Sequence, residues 1–213
     1  GNFTESKKVH LGIGTFFTAD NTGSASGNGG WGFSFRVAGL AIENADKDMI
    51  LEIGFNFSWQ NLRMNGNEKT YRISAGSSVG DGIAELTVGG LKDTMDYAFE
   101  VAFKIKNIHM QAEFFWSNPN VQNGSDPSFF GWYAQIGWFI TGESRSFSKN
   151  SMAWTRTAPK ANFWTGDGGR GAWEVALRYD VTDLDDSGFN GGKVSQLGVS
   201  VNWYWNPNAR MMM

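Results

Sequence analysis

Apolar and polar residues alternate along this chain with a period of two, segment after segment, and that pattern commits it to β-strands. From Tyr97 to Ile105 the odd positions (Tyr97, Phe99, Val101, Phe103, Ile105) are large and apolar. The even ones (Ala98, Glu100, Ala102, Lys104) are small or charged. Ile108, Met110, Ala112, Phe114 and Trp116 share one face against His109, Gln111, Glu113 and Phe115. The same holds for Trp132, Ala134, Ile136, Trp138 and Ile140, for Trp173, Val175, Leu177 and Tyr179, and for Leu197, Val199, Val201 and Trp203. Segments 7–17, 31–40, 49–60 and 69–75 repeat the pattern, and 209–213 begins a tenth strand. Each clear strand runs to roughly 9–11 residues, the length that crosses a bilayer when tilted. No segment carries a helical period.

Alternation alone admits two architectures. In a soluble sandwich the apolar face is the core and the polar face meets water. In a transmembrane barrel the apolar face meets lipid and the polar face lines a wet lumen. Two details favour the barrel. Aromatics gather at strand ends (Phe114-Phe115-Trp116, Phe129-Phe130, Trp203-Tyr204-Trp205), as an interfacial girdle requires. The polar faces also carry glycine and both signs of charge. Composition narrows the rest. With 15% aromatic and 18% charged residues, the chain is not disordered. No 18-residue uncharged apolar run provides a helical span, and the absence of cysteine removes disulfides and thiolate chemistry. A net charge of −3 gives no case for nucleic acid.

The strands and their connections resemble a known family. Gly131-Trp132-Tyr133-Ala134-Gln135 through Phe139-Ile140-Thr141-Gly142-Glu143-Ser144-Arg145 is the most specific stretch. It is followed by Gly171-Ala172-Trp173-Glu174-Val175-Ala176-Leu177-Arg178-Tyr179 and by the closing run Asn202-Trp203-Tyr204-Trp205-Asn206-Pro207-Asn208-Ala209-Arg210. Weaker matches are Arg36-Val37-Ala38-Gly39-Leu40, Leu51-Glu52-Ile53-Gly54, and Glu100 with Ala112-Glu113-Phe114. In these the chain is similar to the C-terminal part of the phosphate-selective porin O and P family of outer-membrane channels. The resemblance implies a bacterial outer-membrane homotrimer that passes small anions such as phosphate through a narrow pore with basic side chains. The expected fold is therefore all-β: an antiparallel transmembrane β-barrel, seen here as about ten consecutive strands of a larger barrel of roughly 16 strands. Residues 1–213 form one barrel domain. The opening at Gly1-Asn2-Phe3-Thr4 and the stop at Met213 within an apolar pattern read as a partial chain, incomplete at both ends.

Parity assigns the lumen face. Its basic positions are Lys8, Arg36, Arg72, Lys104 and Arg178, and its acidic ones Glu52, Glu100, Glu113, Glu174 and Asp180. The wall is balanced in charge, so these residues are either cross-strand ion pairs or anion-attracting groups. If Lys106-Asn107 is a two-residue hairpin turn, Lys104 faces His109 and Glu100 faces Glu113. Opposed carboxylates need a cation, a shared proton or water between them. Arg72 is the first candidate for the cation. The connection 144–171 holds Arg145, Lys149, Arg156, Lys160 and Arg170 against Asp167, a charge of +4. With −3 on the whole chain, −7 remains elsewhere. Such a loop either lies in solvent or folds over the pore mouth and concentrates anions. Phe147, Trp154, Phe163 and Trp164 could pack and hold it.

Other motifs carry no chemistry. Gly27-Asn28-Gly29-Gly30-Trp31-Gly32 fits a dinucleotide fingerprint, but a strand follows it where a helix is required. Asp183-Leu184-Asp185-Asp186-Ser187-Gly188 starts like a calcium loop, yet Val194 stands where the closing Glu belongs. It reads as a tight hairpin. His10 and His109 are isolated, which argues against zinc and against Ser-His-Asp chemistry. No enzyme activity, cofactor or metal is expected. The expected function is passive diffusion of small polar solutes, anions first, with outer-membrane lipid as the surrounding partner. The rival readings are a porin-like barrel that anchors partner proteins and a soluble sandwich that binds carbohydrate through exposed Trp.

Overall fold

The computed structural model describes residues 8–17, 30–46, 48–62, 67–74, 82–164 and 168–213. Nine strands form one antiparallel sheet in the order β1 (Val9–Phe17), β2 (Trp31–Glu43), β3 (Met49–Asn61), β6 (Leu91–Ile105), β7 (Ile108–Val121), β8 (Phe129–Phe139), β11 (Ala172–Asp186), β12 (Phe189–Asn206) and β13 (Ala209–Met212). β1 and β13 are the two edges and do not pair with each other. Four shorter strands lie outside this wall as two hairpins, β4 (Lys69–Ser74) with β5 (Gly82–Val88) and β9 (Phe147–Ser148) with β10 (Ala153–Trp154). Among the described residues there is no α-helix.

The expected register holds at the Lys106-Asn107 turn, where Glu100 pairs with Glu113 and Lys104 with His109. Lys106 takes the left-handed conformation there, at φ 51°. Four expectations need correction. The wall has nine strands rather than ten, because 69–75 contributes a strand to a separate hairpin. The alternation read from Tyr97 starts earlier, since β6 begins at Leu91, and a further strand, β5, precedes it. Several strands exceed 9–11 residues: β6 and β11 have 15 and β12 has 18. Ile140 falls in a turn just beyond β8.

Burial is inverted relative to a soluble domain. Apolar outward residues are bare, with Ile53 51%, Leu177 44% and Leu197 68% exposed, while inward Glu52, His109 and Glu174 are 2% or less exposed. A sandwich would bury those apolar rows between facing sheets. Here they form the outer surface, and the aromatics band it. Trp31 contacts Trp59 at one end, and Phe114, Trp132 and Tyr179 continue that side across β7, β8 and β11. Trp173, Trp203 and Trp205 mark the other end. Trp132 sits beside Val181, eight residues along β11 from Trp173, or about 27 Å of strand. That matches the order of the lipid-facing band of an outer-membrane barrel, about 25 Å.

Strand directions sort the connections. The β2–β3, β6–β7, β8–β11 and β12–β13 connections lie at one end, and the two-residue β11–β12 turn lies at the other. The long β8–β11 connection folds inward, across the sheet.

Candidate functional site

The inner face carries the candidate site, and glycine decides how its charged groups meet. On β3, Gly54 lies directly opposite Glu100 of β6. A β-carbon on Gly54 would collide with the Glu100 carboxylate, so the missing side chain lets Glu100 cross β3 to Arg36 on β2. Arg36 Nε donates to Glu100 Oε1 at 2.8 Å and Nη2 lies 2.5 Å from the same oxygen. Glu52 Oε1 is 3.8 Å from Arg36. Gly137 does the same on β8: His109 on β7 reaches across it to Glu174 on β11, with Nε2 2.6 Å from Oε1. Glu174 also accepts from Asn202 Nδ2 at 3.0 Å and from the Tyr204 hydroxyl at 2.7 Å. Three donors on two strands, β7 and β12, thus satisfy one buried carboxylate, as burial of a charge demands.

The cation that reaches the opposed pair is therefore Arg36, on Glu100 alone, and the expectation of Arg72 is wrong. Arg72 lies on the β4–β5 hairpin, exposed and paired with Glu85 at 2.6 Å. Glu113 is served separately, by the Tyr133 hydroxyl at 2.8 Å and Gln111 Nε2 at 3.2 Å.

Two inward segments narrow the space in front of the wall. The β4–β5 hairpin packs Ile73 and Val88 against Leu91, Phe129 and Leu184. Lys69 Nζ pairs with Asp96 at 3.0 Å, the Tyr71 hydroxyl meets Ser117 Oγ at 2.8 Å, and Gln196 Nε2 donates to the Ser74 carbonyl at 3.2 Å. Between hairpin and wall lies a cavity of about 940 Å³. The β8–β11 connection crosses β7, β6 and β3 to grip β2. Arg36 Nη1 and Nη2 donate to the carbonyls of Ser151 (2.7 Å) and Met152 (2.8 Å), and Lys149 pairs with Glu43 at 2.5 Å. Met152 is buried, and Trp154 packs against His109 and Phe147.

The remaining expected residues fall as follows. Arg145 stacks over Trp154 at 5.3 Å and lies 3.8 Å from Glu174. The Arg178 guanidinium carbon lies 3.7 Å from the centre of the Tyr133 ring, with Nε 3.5 Å from Asp180. Lys104 is buried on β6 with Asp48 as its neighbouring carboxylate. Arg156 is exposed and donates to Asn208 at 2.9 Å. The Lys160 backbone N–H caps Glu143 while its side chain is exposed. Of the four aromatics expected to hold this connection, Phe147 and Trp154 pack together and Phe163 packs on Trp203 at 4.6 Å, but Trp164 is 89% exposed. Asp167, and residues 27–29 of the glycine run, lie outside the described residues. Sequence reasoning passed over Tyr133, Asn202 and Tyr204 as partners. Their inward parity was the available signal, but only the charged positions were weighed. Among the described residues no group of acidic or imidazole side chains is placed to hold a metal.

Residues 3–213 match the family described as phosphate-selective porin O and P. The chain belongs to that family. It is 32% identical over 158 residues to an uncharacterized protein of Caulobacter vibrioides, covering 72% of this chain and 31% of that one. It is 25% identical over 204 residues to Porin O of Pseudomonas aeruginosa, covering 82% of this chain and 44% of that one. The chain thus spans less than half the length of these relatives. Membership of the porin O and P family places it in the bacterial outer membrane, and the exposed apolar rows are its lipid face. Porins as a family are channels rather than enzymes.

Proposed function

We propose that this chain forms part of the wall of a water-filled pore through which small polar solutes diffuse passively, anions such as phosphate first, in a homotrimer. The carrying observation is the inverted burial, with ionisable residues inward and apolar residues outward over the nine described strands of the sheet. The two inward segments support a narrow passage, and Lys69, Arg72 and Arg178 line its cavity as cations. Arg36, Arg145 and Lys149 act chiefly by holding the β8–β11 segment in place, so the field they lend the pore is partly cancelled by Glu100, Glu174 and Glu43. Arg156, Lys160 and Lys104 contribute charge near the end that holds the β6–β7 turn. The test is the reversal potential of the full-length protein in a planar bilayer under a salt gradient. Anion preference supports the reading; cation preference removes the anion claim. An electrically silent barrel would instead support an anchoring role.

A further inference from the structure

We infer that the outer rim of the wall at the start of β11 is a docking site for the headgroup phosphate of an anionic membrane lipid, with Lys160 and Arg170 as its cations and Phe163 and Trp164 as its aromatic wedge. The inference rests on the lipid-facing surface and not on the pore reading.

The β8–β11 connection has two parts. The first, through Trp154, lies against the inner face. The second climbs onto the outer rim. The Phe163 N–H donates to the Trp205 carbonyl at 2.7 Å, and Trp203 Nε1 donates to the Arg170 carbonyl at 2.9 Å. The Phe163 ring packs 4.6 Å from that of Trp203. Trp203 stands in the outward row with Leu197, Val199 and Val201, stacked on Trp173 of β11. This stretch therefore continues the aromatic band of the lipid face past Ala172 and Tyr204, where the pairing of β11 with β12 stops.

Trp164 is the tip of that band. Its ring is almost wholly exposed, and its backbone is left-handed at φ 63°, a conformation costly for any residue with a β-carbon. In water a bare indole held this way gains nothing. At the boundary between headgroups and acyl chains, its apolar body and its N–H both find partners. Phe163, 5.7 Å away, ties it to Trp203.

The charge beside this wedge is positive. Residues 156–171 carry Arg156, Lys160 and Arg170 against Asp167 alone. Lys160 and Arg170 are exposed, and neither forms an ion pair among the described residues. The neighbouring carboxylate, Glu143, is buried and accepts from the Thr141 hydroxyl and the Lys160 backbone N–H. Lys160 Nζ instead reaches over Gly142, just past β8. Cations beside interfacial aromatics attract anionic headgroups. The aromatic half decides the source of the phosphate. A free phosphate has no use for the Trp164 ring, whereas a phosphate carried on acyl chains meets ring and cations together.

The experiment places the full-length protein in nanodiscs of equal phosphatidylglycerol and phosphatidylcholine and identifies the most firmly held lipids by native mass spectrometry. Phosphatidylglycerol should be retained in preference. Lys160→Gln and Arg170→Gln should each lower that preference about fivefold, the equivalent of about 1 kcal/mol per cation at a membrane surface. Trp164→Ser should lower it as well, and Trp164→Phe should keep most of it. Only variants that give the folded band on detergent gels are compared. Lys193→Gln removes an exposed cation at the opposite end, already paired with Asp183, and should leave the preference unchanged. Added inorganic phosphate should not displace the lipid. Equal retention of the two lipids, an equal loss in Lys193→Gln, or displacement by inorganic phosphate would overturn the assignment.

Discussion

Arg36 on β2 donates from Nη2 to the carbonyl of Met152 at 2.8 Å, joining residues 116 positions apart. The same guanidinium holds Glu100, so one side chain ties the wall to the segment that crosses it.

Arg36→Gln should therefore free the segment around 146–154 and enlarge the passage. Single-channel conductance is expected to rise, with added current noise. Stability should fall toward the lower side of the about 3–5 kcal/mol seen when one partner of a buried pair is removed, because Arg36 keeps a quarter of its side chain exposed. Adding Glu100→Gln should recover much of the stability without restoring the small conductance. A double variant with native conductance would rule out the tether.

Glu174→Ala should destabilise the barrel without changing its solute preference. It strands His109, Asn202 and the Tyr204 hydroxyl, at about 1–3 kcal/mol for each buried donor left without an acceptor. The readout is the temperature at which the folded band is lost on detergent gels, which should drop well below that of the parent.

Gly137→Ala should weaken the same cluster from the other side, since a methyl there meets the His109 ring and comes within 2.8 Å of Glu174 Oε1. Gly89→Ala meets nothing within 4 Å and is the matched control. Equal melting of the two variants would show that the Gly137 gap is not needed for the His109–Glu174 contact.

Val199 and Ser200 are neighbours on β12 that face lipid and lumen respectively. Val199→Arg, midway between the aromatic bands, should cost about 2–4 kcal/mol and reduce assembly into membranes. Ser200→Arg, on the edge of a second, smaller cavity of about 580 Å³ on the inner face, should assemble normally and increase anion preference in a reversal-potential measurement.

Strand parity was legible because lipid on one side and charge on the other enforce strict alternation, and the Glu100–Glu113 register followed from a two-residue turn. The inward segments were not legible. Phe147–Ser148 and Ala153–Trp154 are too short to show a period, and their placement depends on contacts with Glu43 and Arg36 more than a hundred residues away. β5 did carry a signal: Ala84, Leu86 and Val88 alternate with Glu85 and Thr87. Its glycine-rich surroundings masked it. Arg72 was misassigned for the same reason, because parity gives a face but not the sheet to which a strand belongs.

The grip of the β8–β11 segment on β2 also sets an order of events. Its seat is assembled from β2, β7 and β11, so its anchors cannot all hold at once until those strands share one sheet. Long-range closures of this kind come late, because the entropy of bringing distant parts together is lost before the contacts form. The wall must then be built hollow first, and its interior furnished afterwards.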